Sequence, residues 1–377
     1  MSLSAFDLAQ LQHAIDLAHG AIGLSDPNPR VGCVLRDAQG ALAGTGHTQQ
    51  AGGPHAEVMA LREAQSQGRT LTGGTAWVSL EPCAHHGRTP PCADALVAAG
   101  LARVVVATSD PFEQVAGQGI ARLRAAGITV DLAEPGPLVQ AARELNIGFF
   151  SRIQRGRPWV RMKVAASLDG RTALPDGRSQ WITGAAARAD GHAWRRRAGA
   201  LLTGIGTVRD DDPRLDVREV PTARQPRRVV VDSQFQTPVD ARLFEAEGGV
   251  TIVGAQDQAD RMAGLRQRGA DVLLLPQADG RVDLTSLLQH LARQGVNELH
   301  VEAGATLNAA LLLAGLVDEV LLYLAPKLLG PGRDIAALPV LPALDQALTL
   351  DFTDLRPLGP DVRLMARVSG HADFLAG

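Results

Sequence analysis

The chain has few aromatic residues and no large excess of either charge. Aromatic residues make up 3% of its 377 residues, with a single tyrosine, and the formal net charge at pH 7 is -3. Proteins that bind polynucleotides usually carry a basic surface and aromatic side chains on which bases stack. We therefore expect no nucleic-acid partner and a small molecule as the ligand.

Cysteines and long apolar runs are scarce as well. The three cysteines, Cys33, Cys83 and Cys92, are too few for a disulfide framework, which agrees with a reducing compartment. No apolar run reaches the length that spans a bilayer, and the first residues lack the basic and apolar blocks of a signal peptide. These absences predict a cytoplasmic protein without membrane contact.

His55, Cys83 and Cys92 are the residue types of a zinc site. His55 and Glu57 flank an alanine and precede both cysteines, and zinc deaminases of nucleobases combine one His, two Cys and a Glu that is not a ligand. Three protein ligands leave one zinc position for water, which the metal makes acidic enough to react near neutral pH. Glu57 can take the water's proton and pass it to a ring nitrogen and the departing ammonia. The motif predicts hydrolytic deamination of an amino-substituted pyrimidine or purine.

A lone histidine or cysteine more often packs in the core than binds a metal. His55 and Cys92, however, each follow a proline and open an apolar-periodic stretch, which is typical of helix starts. Cys33 instead lies within the apolar run 31–35, and we expect it to pack in a strand. Three further histidines could in principle be ligands, although substrate contact or loop packing is favoured for them: His47, His85 and His86.

The first half of the chain predicts alternating helices and strands. Ser4 can cap a helix whose apolar residues recur at helical spacing and which ends near Gly20. We expect strands at residues 31–35, 75–80, 103–107 and 128–132. We expect further helices after the two metal motifs and at residues 119–126 and 137–145. This order predicts an α/β/α layer in a domain of residues 1–150, and glycine, proline and lost periodicity at 149–158 indicate the domain boundary.

The second half, residues 157–370, predicts another α/β sheet, with a helix at 287–292. We expect strands at residues 159–167, 228–231, 250–253, 272–275, 298–301 and 319–324. The Gly-x-Gly at 204–206 lacks the third glycine of a dinucleotide-binding loop and is interpreted as an ordinary turn. Residues 302–308 follow a buried strand and open a helix at 309–313, whose amides could hold a phosphate. A tight strand-to-helix turn is an equal alternative there.

Several longer segments resemble the bifunctional RibD family of riboflavin biosynthesis. In the first half they are residues 27–32, 52–57 and 81–92, where eight residues separate the two cysteines instead of the two in most zinc deaminases. In the second half they are residues 163–170, 179–183, 211–213, 231–233 and 302–304. The resemblance implies a cytidine-deaminase-like N-terminal domain that binds Zn²⁺ and a dihydrofolate-reductase-like C-terminal domain that uses NADPH. It also implies a homo-oligomer, either a dimer or a tetramer.

The reactions that the resemblance implies act in sequence on phosphoribosylated pyrimidines. A diaminopyrimidinone loses its 2-amino group as ammonia, and the ribosyl group of the resulting uracil is reduced to a ribityl chain. The resemblance assigns NADPH contacts to Ala165, Trp181, Thr207, Asp211, Ser233, Gly304, Ala305, Thr306, Leu307, Asn308, Ala309 and Ala310. It assigns substrate contacts in the second half to Ser179, Arg195, Leu215, Arg218 and Glu302. For the deaminase half, the candidates are Asn28 and His47 for the base and Arg88 for the phosphate.

The chemistry of these residue types agrees with those roles. Two arginines can grip a ribose 5-phosphate, and Glu302 can accept hydrogen bonds from sugar hydroxyls or the base. Alternatives stay open for three residues: a solvated basic helix face for Arg195 and its arginine neighbours, a proline-flanked turn for Asn28, and a core position for Trp181. The proton donor of the reduction also stays open among water, Asp211 and Lys163.

Two other functions compete with this interpretation. A deaminase for a nucleotide or for adenosine in tRNA, fused to an unrelated domain, would carry a basic groove for RNA and would not bind NADPH. A regulatory protein whose second half senses a nucleotide would bind it without chemistry. Oxidation of NADPH in the presence of the deaminated substrate distinguishes these functions.

Overall fold

The chain forms two compact units, Met1–Arg155 and Gly156–Gly377. They are seen in a computed structural model, which describes residues 3–84, 90–112 and 116–376. Within these ranges, no helix combines the length and the apolar character that crossing a bilayer requires. Arg88, His85 and His86 lie outside the described residues.

The first unit is a mixed sheet flanked by helices. Its strands are β1 (Gly32–Arg36), β2 (Leu42–His47), β3 (Thr75–Val78), β4 (Arg103–Val106) and β5 (Thr129–Leu132). Its helices are α1 (Ala5–Ala18), α2 (Ala56–Ser66), α3 (Cys92–Ala98), α4 (Gln118–Ala125), α5 (Pro137–Leu145) and α6 (Ile147–Arg155). The strand order is β2-β1-β3-β4-β5. β1 is antiparallel to both of its neighbours, whereas β3, β4 and β5 run parallel.

Alternation along β1 directs its side chains to two different helical layers. Val34 packs with Leu11 of α1 and Val139 of α5 in one core cluster. Cys33 faces the other side and is fully buried, which confirms that it packs in a strand. Because successive side chains of a strand alternate between faces, the sheet is covered on both sides and the predicted α/β/α layer forms.

The expected boundary segment 149–158 is largely helical, although irregular structure was expected there. Residues 147–155 form α6, whose Ile147, Phe149 and Phe150 are buried. Arginines interrupt the apolar pattern of this helix, so its helical periodicity was not recognised in the sequence. The two units divide between Arg155 and Gly156.

The second unit is built on a larger sheet. Its strands are β6 (Trp159–Ser167), β7 (Arg171–Ala173), β8 (Ala200–Gly204), β9 (Arg227–Val231), β10 (Val250–Gly254), β11 (Asp271–Leu274), β12 (Glu298–Val301), β13 (Glu319–Ala325), β14 (Arg333–Asp334), β15 (Leu350–Leu358) and β16 (Asp361–Val368). Its helices are α7 (Ala185–Arg197), α8 (Ile205–Asp211), α9 (Ala259–Gln267), α10 (Leu284–Arg293) and α11 (Ala305–Leu313). The strand order is β11-β10-β9-β8-β12-β6-β13-β16-β15, and β7 pairs separately with β14.

The two faces of this sheet differ in polarity. Val160 and Val164 of β6 pack with α10 and α11 in an apolar core. Arg161 and Lys163 point to the opposite face, where the Arg161 guanidinium stacks 4.3 Å from the ring centroid of Trp194 on α7. Arg161 also donates to Glu298 at 2.9 Å and to Glu319 at 2.6 Å. Charged side chains therefore support the helix that lies next to the cavity described below.

Parallel strands run from β11 to β13, and β16 and β15 complete the sheet in antiparallel pairing. The Gly-x-Gly at 204–206 is not a simple turn, because Gly204 ends β8 and Ile205 begins α8. The helix expected at 309–313 begins earlier, at Ala305, with Gly304 as its N-cap.

Candidate active sites

The three expected zinc ligands lie together in the first unit. The Nδ1 atom of His55 is 3.7 Å from Sγ of Cys83 and 3.3 Å from Sγ of Cys92. All three donor atoms lie within 4.8 Å of one another. A tetrahedral zinc ion bound at ordinary Zn–S and Zn–N lengths would separate a sulfur from a nitrogen by about 3.6 Å. The donor set therefore fits zinc in both chemistry and spacing.

Two helix starts and a loop position these ligands. His55 is the N-cap residue of α2, Cys92 is the first residue of α3, and Cys83 follows β3. The backbone N–H of Cys92 donates to Sγ of Cys83 at 3.3 Å. Hydrogen bonding with Cys92 also lowers the pKa of Cys83 to about 4, so Cys83 is held as the thiolate that binds metal.

Glu57 lies in the first turn of α2 and is only 3% exposed. Burial raises the pKa of Glu57, and the neighbouring Cys83 adds to this effect. The tight approach of β2 fixes the start of the helix, since a Cβ on Gly46 would lie 2.4 Å from the carbonyl oxygen of Ala56. A buried carboxyl group is thus held beside the metal ligands Cys83 and Cys92.

The residues expected to read the base, Asn28 and His47, have contacts that do not by themselves indicate a ligand. Asn28 is part of a turn in which its N–H donates to the carbonyl of Ser25 at 2.9 Å, as the turn alternative predicted. His47 ends β2 opposite Gly32 of β1, and burial lowers its pKa. The structure gives no hydrogen bond between either side chain and the three ligands, and Arg88 lies outside the described residues.

The second unit contains a cavity of about 1740 Å³. Its walls bring together residues from β6, α7, α8, the loop after β9 and the start of α11, which are far apart in the sequence. Of the expected residues, it is lined by Ala165, Ser179, Trp181, Arg195, Thr207, Asp211, Leu215, Arg218, Ser233, Glu302, Gly304, Ala305, Thr306, Leu307 and Ala310. A volume of this size suits two ligands side by side better than one.

Glu302 and Arg195 form a bidentate pair in the cavity wall. Nε and Nη2 of Arg195 donate to the two carboxylate oxygens at 2.5 and 2.9 Å, and Nζ of Lys163 lies 3.6 Å from the same carboxylate. Burial alone would raise the pKa of Glu302, but the charges of Arg195 and Lys163 hold it well below its usual value. Glu302 is therefore a carboxylate, able to accept hydrogen bonds from a ligand.

This pairing changes the expected role of Arg195. Nη1 of Arg195 donates to the backbone carbonyl of Asp216 at 2.9 Å, so each nitrogen of the guanidinium already has a protein partner. Arg218 also has a partner, Asp216 at 2.6 Å, but its side chain is 50% exposed and so is more accessible to a ligand. Of the two arginines, Arg218 is the one whose charge is open to a phosphate.

The turn that leads into α11 faces the cavity with its backbone amides. Gly304 is the N-cap residue and no side chain caps the helix, so the first N–H groups are available for a phosphate. Asn308 and Ala309, which were also expected to contact NADPH, are buried and are not among the residues that line the cavity. The Asn308 side chain donates to the carbonyls of Ala303 and Ile335, and it holds the turn in place.

Trp181 does not occupy a core position, since 62% of its surface is exposed at the cavity rim. The guanidinium of Arg188 lies 4.6 Å from its ring centroid, and Nζ of Lys327 donates to its carbonyl oxygen at 2.9 Å. Its indole ring is therefore placed where it could cover a bound ligand.

His192 also lines the cavity, although no pattern in the sequence pointed to it. It is buried on α7, a helix in which only the arginines were considered as candidate ligands. Lys163 could be recognised because polar and apolar residues alternate along its buried strand. A single histidine within a helix creates no such pattern.

Comparison with known proteins agrees with both sites. The family model described as "Cytidine and deoxycytidylate deaminase zinc-binding region" matches residues 5–108, and the one described as "RibD C-terminal domain" matches residues 158–364. The chain is 44% identical over 367 residues to riboflavin biosynthesis protein RibD of Escherichia coli K12, covering 94% of this chain and 97% of the relative.

Solved structures resemble the whole chain. Acinetobacter baumannii RibD matches with a TM-score of 0.86 and 41% identity, covering 96% of this chain and 98% of the other. A Thermotoga maritima protein described as a diaminohydroxyphosphoribosylaminopyrimidine deaminase/5-amino-6-(5-phosphoribosylamino)uracil reductase matches with a TM-score of 0.85 and 30% identity, with the same coverage.

The fold and sites define a bifunctional enzyme, with a zinc-binding deaminase domain of cytidine-deaminase type followed by an NADPH-using reductase domain. This confirms the predicted fold class and both cofactors. The chain belongs to the RibD family of riboflavin biosynthesis proteins. The competing function with an unrelated second domain was wrong, because the reductase domain is part of the family.

Proposed function

We propose that the first unit deaminates 2,5-diamino-6-(5-phosphoribosylamino)pyrimidin-4-one and that the second reduces 5-amino-6-(5-phosphoribosylamino)uracil with NADPH. The name of the Thermotoga maritima relative supports this pair of substrates. The proposal depends above all on one observation, the convergence of three zinc donors within 4.8 Å in a chain whose second unit carries a large cavity. Both substrates are small phosphoribosylated pyrimidines.

In the deaminase site, His55, Cys83 and Cys92 hold the zinc ion and Glu57 moves the protons. The bound metal supplies the acidity that turns water into a nucleophile. Glu57 takes a proton from that water, delivers it to the pyrimidine ring and then assists the departing amino group. Water adds at the carbon that carries the 2-amino group, the carbon–nitrogen bond breaks, and ammonia leaves. The burial of Glu57 keeps bulk water from competing for these protons.

In the reductase site, the chain's own residues bind and orient the sugar. When bound, NADPH would supply the hydride that reduces C1 of the ribosyl group as the bond from that carbon to the ring oxygen opens and the oxygen gains a proton. Glu302 accepts hydrogen bonds from sugar hydroxyls, Arg218 pairs with the phosphate, and Ser179 and Leu215 complete the substrate side. The amides that follow Gly304, together with Ala165, Thr207, Asp211 and Ser233, contact the cofactor, and Trp181 shields it from water.

The purified chain tests both halves of the proposal. Incubation with the diaminopyrimidinone should release ammonia, and the deaminated product should then oxidise NADPH with a loss of nicotinamide absorbance. Metal analysis should give about one zinc per chain. Ammonia release without NADPH oxidation would contradict the reductase assignment and support the nucleotide-sensing alternative.

We also infer that the chain forms a homo-oligomer through its second unit. Its apolar side chains are exposed in succession along residues 338–355 and reach β15 at the sheet edge, including Val340 at 97% and Phe352 at 75% exposure. Unpaired edges with exposed apolar residues favour association. Light scattering after size exclusion should show a dimer or tetramer that Phe352→Lys dissociates. Leu132→Lys, on the edge strand β5 of the first unit, is the control and should leave the oligomer intact.

A cytoplasmic location is part of the same proposal. Both the thiolate ligands and the use of NADPH require a reducing compartment, and fractionation of the producing cells would test it.

A further inference from the structure

A short segment after α8 carries two of the expected substrate contacts. Residues 213–219, called the strap, include Leu215 and Arg218, and both line the cavity. Leu215 has a φ of 49°, in the left-handed region that side chains with a Cβ adopt only at a cost. A backbone held in this conformation needs anchors from the surrounding structure.

The strap has anchors along most of its length. Nη1 of Arg195 donates to the carbonyl of Asp216 at 2.9 Å. The Gln225 amide accepts from the N–H of Val217 at 2.7 Å and donates to its carbonyl at 2.8 Å. The N–H of Arg218 donates to Nδ1 of His192 at 3.3 Å. This last bond holds Arg218, which lines the cavity and whose side chain is 50% exposed.

The bond to Arg218 defines the protonation of His192. A backbone N–H can only donate, so Nδ1 must offer its lone pair and the ring proton must be on Nε2. Burial lowers the pKa of His192 to about 4, and the charges of Arg195 and Arg218 add to the effect. The ring is therefore neutral near pH 7 and keeps Nδ1 as an acceptor. Nε2 faces Glu219 at 3.7 Å, which also favours a proton on that nitrogen.

His192 and Arg195 lie one turn apart on α7 and reach the strap from the same helix face. α7 in turn rests on the charged face of the sheet, where Arg197 donates to Glu298 at 2.9 and 2.8 Å. α7 therefore anchors the strap through the side chains of His192 and Arg195.

We propose that His192 is a positioning residue of the reductase site, which orients Arg218 toward the phosphate of the substrate by accepting the hydrogen bond of its backbone N–H. The inference rests on the proposed function of the second unit. His192 acts on substrate affinity through the strap, and it does not touch the reacting atoms.

Three substitutions distinguish this role from simple space filling. His192→Asn places an oxygen acceptor near the position of Nδ1, His192→Gln places one near Nε2, and His192→Leu removes the acceptor. Ribose 5-phosphate binding to the full-length chain, measured by calorimetry, should weaken roughly tenfold in the Leu and Gln variants and should be largely retained with Asn. His290→Leu, on α10 away from the cavity lining, is the matched control and should bind like the unmodified chain.

Steady-state kinetics add a second readout. KM for the deaminated pyrimidine should rise in the Leu and Gln variants by roughly the same factor as the loss of binding, with a much smaller change in kcat. NADPH binding, followed by its fluorescence, and ammonia release by the first unit should stay unchanged. Loss of NADPH binding in step with ribose 5-phosphate binding would indicate general collapse of the cavity and would overturn the positioning role.

The remaining outcomes separate the inference from the function beneath it. If the unmodified chain reduces its substrate and His192→Leu binds ribose 5-phosphate equally well, the inference alone is wrong. Equal behaviour of the Asn and Gln variants also contradicts it, because the position of the acceptor would not matter. If the unmodified chain neither binds ribose 5-phosphate nor oxidises NADPH with the deaminated substrate, the proposed function fails and the inference fails with it.

Discussion

Glu57 is a single side chain whose substitution should affect one of the two activities of the chain and not the other. It lies in the first turn of α2, two residues from the ligand His55, and it is buried beside Cys83 and Cys92. In the proposed mechanism its carboxylate carries protons and does not bind the metal. An amide of the same shape should therefore leave the zinc site intact while removing proton transfer.

Glu57→Gln tests this assignment. Ammonia release should fall by roughly 10²- to 10⁴-fold, the usual contribution of a general acid–base group, while zinc content and NADPH oxidation on the deaminated substrate stay unchanged. Glu134→Gln, on an exposed residue of the same unit, should have no effect. Undiminished ammonia release from Glu57→Gln would mean that another group carries the protons.

Residues differ in how far the sequence reveals their role. The zinc ligands could be predicted because each residue type is rare and each stands at a recognisable helix start or loop. Arg195 was predicted as a phosphate ligand, but its guanidinium is taken up by Glu302, a partner 107 positions away. His192 escaped prediction because its contact is a backbone N–H of Arg218, 26 positions away. Partners of this kind are determined by the tertiary fold and leave no local pattern.

At the scale of elements, α1 shows how one side chain ties a helix to its sheet. Asp7 forms a capping box with Ser4 at the helix start. It also accepts from Nε1 of Trp77 on β3 at 3.0 Å and from the guanidinium of Arg103 on β4 at 2.7 and 3.1 Å. Burial alone would raise the pKa of Asp7, but the hydrogen bonds from Arg103, Ser4 and Trp77 lower it far below 3.8.

Asp7→Asn should lower the free energy of unfolding of the first unit by about 2 kcal/mol at neutral pH, because it leaves Arg103 without its carboxylate partner. Since the pKa is lower in the folded than in the unfolded chain, this stabilisation is fully present above about pH 4 and is lost as pH falls further. Urea unfolding of both proteins at several pH values should show the difference shrinking below about pH 4. Asp16→Asn, an exposed change on the same helix, should shift stability by less than about 0.5 kcal/mol.

Some elements could be predicted to the residue and others not at all. The bounds of α5, β6 and β12 agree with the expected ranges, because their apolar pattern reflects burial directly. β2 was not anticipated, since its glycines, which allow α2 to approach, are poor strand formers. β15 was also missed because it is an exposed edge strand, where the burial that produces alternation is absent.

At the scale of the whole molecule, the zinc donors and the large cavity lie in different units. The three zinc donors belong to Met1–Arg155, and the described residues that line the large cavity belong to Gly156–Gly377. Two consecutive reactions are thereby carried by one chain while each site keeps its own ligands.

Removal of zinc should therefore affect only one activity. Treatment with a chelator should abolish ammonia release and leave NADPH oxidation on the deaminated substrate within about twofold of its starting rate, and added Zn²⁺ should restore the first activity. Glu302→Gln gives the reciprocal test, with reduction lost and ammonia release kept. A parallel loss of both activities on chelation would show that the metal supports the fold of the second unit as well.

The charged face beneath α7 has a consequence for how this protein tolerates change. On the apolar face of the same sheet, one aliphatic side chain can replace another of similar volume at modest cost. Beneath α7, Arg161 donates to both Glu298 and Glu319, and Arg197 and Arg367 also donate to these carboxylates. Neutralising one member therefore unbalances a buried network of charges, at a cost of several kcal/mol. Randomised libraries of the two faces should therefore yield many functional sequences for the aliphatic layer and very few for the ionic one, where only concerted replacements survive selection.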